Sequence, residues 1–158
     1  MSFVPDMTDM CILDILQQDA RTTNKEIASK LGKSVTSIFD RVKRLETEGY
    51  IQGYVAVLNR YKLGNALVAY TSVTLEAHGH DRLSAFEYKM NFFPEVQECY
   101  KMSGQFDYLL KIVVADMEAY DQFYSARLSK LDNIAKIRSL FVLAETKQEK
   151  QLNLKKIK

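Results

Sequence analysis

The chain has 158 residues, of which 47% are hydrophobic and 27% are charged, and its formal net charge is +2. This composition excludes a disordered chain and predicts one medium or two small folded domains. No apolar run is long enough to cross a membrane and no signal-peptide pattern opens the chain, so a cytoplasmic protein is expected. Cys11 and Cys99 are far apart and lack metal-binding spacing with histidine, which predicts reduced, buried, structural thiols.

The first 50 residues contain three segments with helical periodicity. Residues 7–18 form the first, with Asp6 as its N-cap, and Thr23 opens the second with a capping box. Gly32 suits a left-handed helix end, and Ser34 can cap the third helix. Apolar residues of the third helix recur on one side and are predicted to be buried: Val35, Ile38, Val42 and Leu45. Two short helices joined by a tight turn predict a helix-turn-helix within a winged-type or trihelical DNA-binding domain.

The opposite side of the third helix is polar and basic. Asp40 can accept a hydrogen bond from a cytosine amino group or can orient Lys43 and Arg44, and the second role is favoured. Lys43 and Arg44 can pair with phosphates or guanine, whereas Arg41 lies on the flank and suits a phosphate contact or a structural ion pair. The predicted DNA-binding residues are Ser34, Thr36, Ser37, Asp40, Arg41, Lys43 and Arg44.

Local charge favours DNA binding over an ordinary amphipathic bundle with a solvated charged side. Residues 21–44 contain seven basic and two acidic residues, a net of +5, whereas residues 1–20 contain four acidic and no basic residues. The total charge of the chain therefore hides a strongly basic segment, which is the electrostatic pattern expected of a nucleic-acid contact.

The pattern changes after residue 50. Residues 50–58 are predicted to form a strand pair or wing hinged at Gly53, followed by a linker or turn over 59–65. The Lys-rich C-terminal tail could touch DNA, although a solvated tail is the preferred interpretation. The predicted division is a helix-turn-helix domain over 1–50, a strand and linker over 51–65, a second domain over 66–146 and the tail over 147–158.

The second domain has the predicted order βαββαβ. Its strands are expected at 67–75, 96–102, 108–114 and 134–144, and its helices at 83–93 and 120–131. This order is typical of a ferredoxin-like α+β domain, in which both helices cover one face of a four-stranded sheet. Because both alternating sets of strand residues look largely apolar, the other face is predicted to pack on a second copy. A dimer would place two recognition helices on two DNA half-sites.

The turn at 103–108 allows two interpretations. In the first it is a hairpin turn in which Asp107 makes an Asx-type hydrogen bond. In the second, backbone amides around Gly104 hold a carboxylate and Asp107 accepts from an ammonium, which together match a free amino acid. His78 and His80 are expected in a solvated strand-to-helix loop without a partner carboxylate, so neither a metal site nor a catalytic site is predicted.

Three motifs occur in order along the chain, ILDILQQDARTTNKEIASKLGKS over 12–34, RVKRLETEGYIQGY over 41–54 and SGQFDYLLKIVV over 103–114. Through these motifs the whole chain resembles the Lrp/AsnC family of bacterial and archaeal transcription regulators. It implies a C-terminal amino-acid-responsive domain, dimers that assemble further into octamers, and an effector bound between dimers near the Gly-x-x-Asp turn. The effector-binding residues that it implies are Ser103, Gly104, Gln105, Phe106, Asp107 and, on the last strand, Ser139.

The expected function is therefore a sequence-specific DNA-binding regulator that responds to a free amino acid, without catalysis and without a cofactor. Two alternatives remain at this point. Some sirohaem decarboxylases resemble this two-domain layout, and such an enzyme would need substrate-facing His or Arg residues in the second domain. An architectural protein would compact DNA with little sequence preference and without an effector.

Overall fold

The computed structural model describes residues 3–154, which form two compact units. One unit extends to Val57 and includes the tail from Lys147, and the other is Leu58–Thr146. In the described tail, the Leu152 backbone exchanges two hydrogen bonds of 2.9 Å with the Gln17 side chain. The predictions for residues 1–2 and for 155–158, which hold three of the tail lysines, lie outside the described residues. No helix over 3–154 is long and apolar enough to cross a membrane.

Within residues 3–154, the α-helices of the first unit are α1 (Met7–Gln18), α2 (Asn24–Leu31) and α3 (Val35–Thr47). Asp6 and Ser34 cap α1 and α3, and Thr23 opens α2 with a capping box, as the sequence predicts. Gly32 ends α2 with φ +63°, a left-handed conformation that glycine adopts without a steric penalty. The helix-turn-helix is therefore defined by local signals at both ends of its turn.

The core of this unit consists of six buried residues, which are Ile12, Leu16, Ile27, Ala28, Ile38 and Leu45. The predicted apolar stripe of α3 is wrong at Val35, which is 48% exposed. At about 100° per residue, Val35 lies roughly 60° around the helix axis from Ile38, so it leaves the buried side. Phe39, which the sequence analysis did not place, is 52% exposed.

Two further expectations, for residues 50–58 and for the two cysteines, are wrong. Residues 50–58 contain no strand, because no strand in the described part of the chain lies beside them to pair with their backbone. Instead the Tyr54 hydroxyl donates to Glu46 at 2.9 Å, and Val55 is 85% exposed. Both cysteines are exposed rather than buried, since Cys11 lies on the outer side of α1 and Cys99 on an edge strand.

The second unit has the predicted βαββαβ order and is an α+β ferredoxin-like domain. Its elements are β1 (Leu67–Leu75), α4 (His80–Met90), β2 (Val96–Lys101), β3 (Tyr108–Val114), α5 (Met117–Ala126), a 3-10 turn (Leu128–Lys130) and β4 (Ile134–Phe141). The antiparallel sheet has the order β2-β3-β1-β4. The last strand ends three residues before the predicted Ala144, and the 3-10 turn replaces the end of the predicted second helix.

One face of the sheet is covered by the two helices. Alternate residues of β1 and β3, such as Val73, Leu110 and Ile112, pack there against Phe86 of α4 and Phe123 of α5. All five of these side chains are buried, so this face holds the hydrophobic core of the unit.

The other face is more polar than the sequence analysis expected. Lys111 lies on it between Leu109 and Val113, and its ammonium is 2.9 Å from Glu98. The Tyr100 hydroxyl donates to the same carboxylate at 2.6 Å. Leu140 is 74% exposed on β4, at the opposite edge of the sheet from β2. The open face is therefore a mixed surface of apolar side chains around an ion pair rather than a purely apolar one.

Candidate functional site

The exposed side of α3 presents several of the predicted DNA-binding residues. Thr36, Asp40 and Lys43 are exposed, and no hydrogen bond or ion pair within the described residues joins Asp40 to Lys43 or Arg44. Ser34 instead serves the helix itself, since its hydroxyl accepts from the Ser37 amide at 3.2 Å. Of the predicted DNA-binding residues, Thr36, Asp40 and Lys43 therefore face solvent, whereas Ser34 stabilises the start of the helix.

The two arginines of α3 are bound to α1. Arg41 contacts Asp9 and Asp6, both at 2.7 Å, and Arg44 contacts the second Asp9 oxygen at 3.3 Å. The Asp9 carboxylate is buried, whereas Arg41 and Arg44 are partly exposed. The Arg44 guanidinium also lies 4.2 Å from the Phe3 ring centre, a cation–π distance. Of the two roles predicted for Arg41, a phosphate contact or a structural ion pair, the structure shows the ion pair.

These contacts contradict the preferred role for Asp40. Arg44 is held by Asp9 rather than by Asp40, because Asp9 lies between α1 and α3 where burial strengthens the ion pair. The hydrogen bonds with Asp6 and Asp9 raise the pKa of Arg41. The Asp9 amide, followed by Arg41, lowers the pKa of Asp6 below its ordinary value. Part of the local basic charge is thus neutralised inside the domain.

Asp9 is a residue that the sequence analysis missed. It caps α1 together with Asp6, since each carboxylate accepts from the other residue's backbone amide at 2.9–3.0 Å. The spacing of Asp9, Ile12 and Leu16 at i, i+3 and i+7 places the acid on the buried side of α1. A buried acid on an apolar stripe needs a cationic or hydrogen-bonding partner, so this spacing was the available signal.

The predicted effector turn is an exposed loop between β2 and β3. The Met102 amide donates to the Asp107 carbonyl at 2.8 Å and closes the loop, and Gly104 has φ +132°. The amides of residues 103–106 donate no recorded hydrogen bond to the described part of the chain. Ser103, Gly104 and Gln105 are exposed and Phe106 is half-buried. The loop therefore presents free backbone donors, which is the chemistry that binds a carboxylate.

Asp107 joins this loop to the loop between β1 and α4. One carboxylate oxygen accepts from the Leu75 amide at 2.8 Å, and the other lies 3.0 Å from His78 Nε2. The Asx-type interpretation is thus wrong, because the carboxylate bonds to a neighbouring strand rather than to its own turn. The expectation that His78 lacks a carboxylate partner is also wrong, because the partner comes from 29 residues further along the chain.

Further contacts hold the loop that carries His78. The Asn133 side chain donates to the Ala77 carbonyl at 2.9 Å and accepts from the Ala77 amide at 2.8 Å. His80 is not in this loop, since it is the first residue of α4. Within residues 3–154, no group of three His, Cys, Asp or Glu side chains is arranged to hold a metal ion.

Ser139 occupies a different environment from the turn. Its hydroxyl is hydrogen-bonded to Thr71, at 3.0 Å, and to the Tyr120 hydroxyl. Thr71 is fully buried on the helix-covered face, so the three hydroxyls form a polar cluster in the core. The structure thus brings Asp107, at the end of the turn, together with His78, whereas Ser139 contacts Thr71 and Tyr120.

Comparison with known proteins gives both domains a family. Residues 68–152 match the Lrp/AsnC ligand binding domain, and residues 6–52 match a winged helix-turn-helix DNA-binding domain. The leucine-responsive regulatory proteins of Escherichia coli and Salmonella typhimurium are each 39% identical over 150 residues, covering 95% of this chain and 92% of the relative.

Solved structures agree with this assignment along the whole chain. A transcriptional regulator of Neisseria meningitidis in complex with L-Met is 31% identical, with a TM-score of 0.89 over 96% of this chain and 97% of that one. An AsnC family regulator from Agrobacterium tumefaciens is 35% identical, with a TM-score of 0.89 over 96% and 98%. The chain therefore belongs to the Lrp/AsnC family and is a helix-turn-helix DNA-binding regulator with an amino-acid-binding domain.

Proposed function

We propose that α3 contacts double-stranded DNA mainly through Thr36, Ser37, Asp40 and Lys43. Thr36, Asp40 and Lys43 are exposed and are not paired within the described residues. Arg41 and Arg44 hold α3 on α1 through Asp9 and act on DNA chiefly by fixing the angle of the helix. Lys43 neutralises a phosphate, and the hydroxyls and Asp40 contact base edges.

The effector in this proposal is a free amino acid bound at the turn of residues 103–107. The observation that carries it is the Asp107 carboxylate beside four backbone amides without recorded intramolecular acceptors. These amides hold the effector carboxylate, and Asp107 accepts from the ammonium after His78 moves away. Relatives are named leucine-responsive or were solved with L-Met, so leucine and methionine are the first effectors to test.

Assembly links the two sites in the proposed mechanism. The open sheet face packs on a second copy through Tyr70, Leu109 and Leu140, around the Lys111–Glu98 ion pair. Dimers associate further, up to an octamer, and the effector binds near contacts between dimers. Effector binding then changes assembly and DNA affinity together, which is a coupling free energy between two distinct sites. The protein acts in the cytoplasm, on DNA, and without catalysing a reaction.

The experiment that tests this function is a thermal-shift screen of the twenty amino acids on the full chain. A ligand that binds only the folded state raises the melting temperature, by an amount that depends on its concentration relative to Kd. The amino acid that gives the largest shift is then titrated while DNA affinity is measured. We expect the DNA affinity to change about 5- to 150-fold on saturation.

Two results would contradict parts of this proposal. If no amino acid shifts the melting temperature and the protein binds DNA with little sequence preference, an effector-independent architectural role replaces it. If the purified protein carries a coloured tetrapyrrole, a decarboxylase-like activity replaces it. Asp107→Asn keeps an acceptor for the Leu75 amide but removes the negative charge, so it tests the ammonium contact without disrupting the hairpin.

A further inference from the structure

Two large apolar side chains are exposed on the DNA-reading helix. Val35 is 48% exposed and Phe39 is 52% exposed, and their i, i+4 spacing places them side by side on α3. Ile38 and Leu45 already fill the buried side of this helix, so Phe39 is not needed for the core of the unit. Phe39 is therefore available to contact DNA on the surface that enters the major groove.

The position of Phe39 relative to the polar residues of α3 indicates which partner that is. At about 100° per residue, Phe39 lies roughly 40° from Lys43 and 60° from Thr36 around the helix axis. Lys43 provides the positive charge that DNA requires, and Thr36 lies in the first turn, the part of a recognition helix that contacts base edges. Phe39 therefore follows the groove together with these two residues.

Only one base offers an apolar group in the major groove. Thymine carries a C5 methyl there, and apolar side chains recognise thymine through contact with this methyl. A carboxylate at Asp40 cannot make such a contact, whereas the Phe39 ring can, with Val35 extending the apolar surface toward the start of the helix.

We propose that Phe39 reads thymine methyl groups in the major groove and, with Val35, determines part of the DNA sequence preference. This inference depends on the helix-turn-helix and not on the proposed amino-acid site. Phe39 is expected to affect which DNA sequence is preferred rather than the salt dependence of binding, because its contact neutralises no phosphate. Burying one methyl group against an apolar side chain is expected to strengthen binding about fourfold.

The test begins with DNA selected in vitro for binding to the wild-type protein. Each thymine of the selected site is replaced in turn by deoxyuridine, which removes the methyl and leaves base pairing intact. We expect one or two positions per half-site at which this change weakens wild-type binding about fourfold. Because this arm uses only the wild-type protein, methyl-insensitive binding at every position overturns the proposal without any variant.

The second arm assigns the effect to Phe39. Phe39→Ala is expected to bind the thymine site several-fold more weakly, to show no further loss on deoxyuridine, and to keep the salt dependence of the wild type. Phe39→Leu should keep part of the methyl discrimination. Lys43→Ala is the matched control, since it should weaken both DNAs equally and reduce the salt slope by about 1. If deoxyuridine weakens binding equally in wild type and in Phe39→Ala, the assignment to Phe39 is overturned. The same result is expected if Phe39→Ala changes only the oligomeric state, because the methyl contact would then be intact.

Discussion

The buried Asp9 carboxylate lies 2.7 Å from the Arg41 guanidinium and joins α1 to the recognition helix α3. Its other oxygen contacts Arg44 at 3.3 Å, so one acid pairs with two of the basic residues that the sequence assigns to DNA. The electrostatic contribution of α3 to DNA binding therefore depends more on Lys43 than the charge count alone indicates.

Replacing Asp9 tests how strongly this contact stabilises the DNA-binding unit. Asp9→Asn leaves two arginines facing a neutral amide, and removing one partner of a buried ion pair costs about 3–5 kcal/mol. Arg41 and Arg44 are 25% and 46% exposed and Arg41 keeps its contact with Asp6, so neither arginine is left buried and unpaired, and we expect a smaller loss, about 2 kcal/mol. Urea unfolding at fixed protein concentration measures the change. Asp40→Asn is the control and should shift stability by no more than about 0.5 kcal/mol. Equal effects of the two substitutions would show that Asp9 has no special role.

The acid stability of the same unit should depend on Asp6. Its pKa is lowered from 3.8 because the Asp9 amide and Arg41 donate hydrogen bonds to its carboxylate. A carboxyl whose pKa is lowered by folding stabilises the protein above its unfolded pKa, and this stabilisation is lost as pH falls through the folded value. Wild type should therefore lose stability more steeply than Asp6→Asn as pH falls below 3.8. Unfolding curves at a series of acidic pH values measure both slopes, and parallel curves would refute the link.

Lys43 and Arg44 are neighbours in sequence but should give opposite results. Lys43→Ala removes a free phosphate contact, so we expect weaker DNA binding, a salt slope reduced by about 1 and an unchanged melting temperature. Arg44→Ala removes contacts with Asp9 and Phe3, so we expect a lower melting temperature. Binding measured at several salt concentrations, together with thermal unfolding, separates the two. A lower melting temperature for Lys43→Ala alone would reverse these assignments.

The features that the sequence predicts well are those encoded within a few residues. The N-cap at Asp6, the capping box at Thr23, the glycine at the end of α2 and the βαββαβ order depend on spacing and turn chemistry along the chain. Asn133 adopts a left-handed conformation, with φ 70°, which asparagine tolerates better than most residues. Each of these features depends on residues close together in the sequence and not on a partner that is distant in the chain.

The features that it misses depend on residues about 30 positions apart. Asp9 meets Arg41, and His78 meets Asp107, only after the chain has folded, so their spacing gives no local signal of the partner. The strand prediction for residues 50–58 is wrong for a related reason. The apolar residues there favour a strand, but a strand also needs a neighbouring strand to pair with, and residues 3–154 supply none beside it. Prediction from one sequence is thus weakest where a charged side chain of one helix or loop pairs with a side chain of another.

The open face of the sheet should determine whether the protein is a dimer. Leu140 is 74% exposed on the edge strand β4, and Leu140→Lys places a charge on the open face, two residues from Arg138. We expect this variant to dissociate at concentrations where wild type remains dimeric, as measured by analytical ultracentrifugation. Tyr88→Ser on the exposed side of α4 is the control and should leave the dimer intact. A dimeric Leu140→Lys protein would place the interface on another surface.

His78 should compete with the effector for Asp107. Its Nε2 lies 3.0 Å from the carboxylate oxygen that the ammonium of an amino acid would use, so the effector must displace the imidazole to bind there. His78→Ala removes this competitor and leaves the bond between Asp107 and the Leu75 amide, so we expect effector affinity to rise several-fold. Asp107→Asn should lower it, because the amide no longer carries the charge that attracts an ammonium. Isothermal titration of both variants with the amino acid found by thermal shift measures these changes. Unchanged affinity in both would place the ammonium site away from Asp107, even if an amino acid still binds elsewhere on the domain.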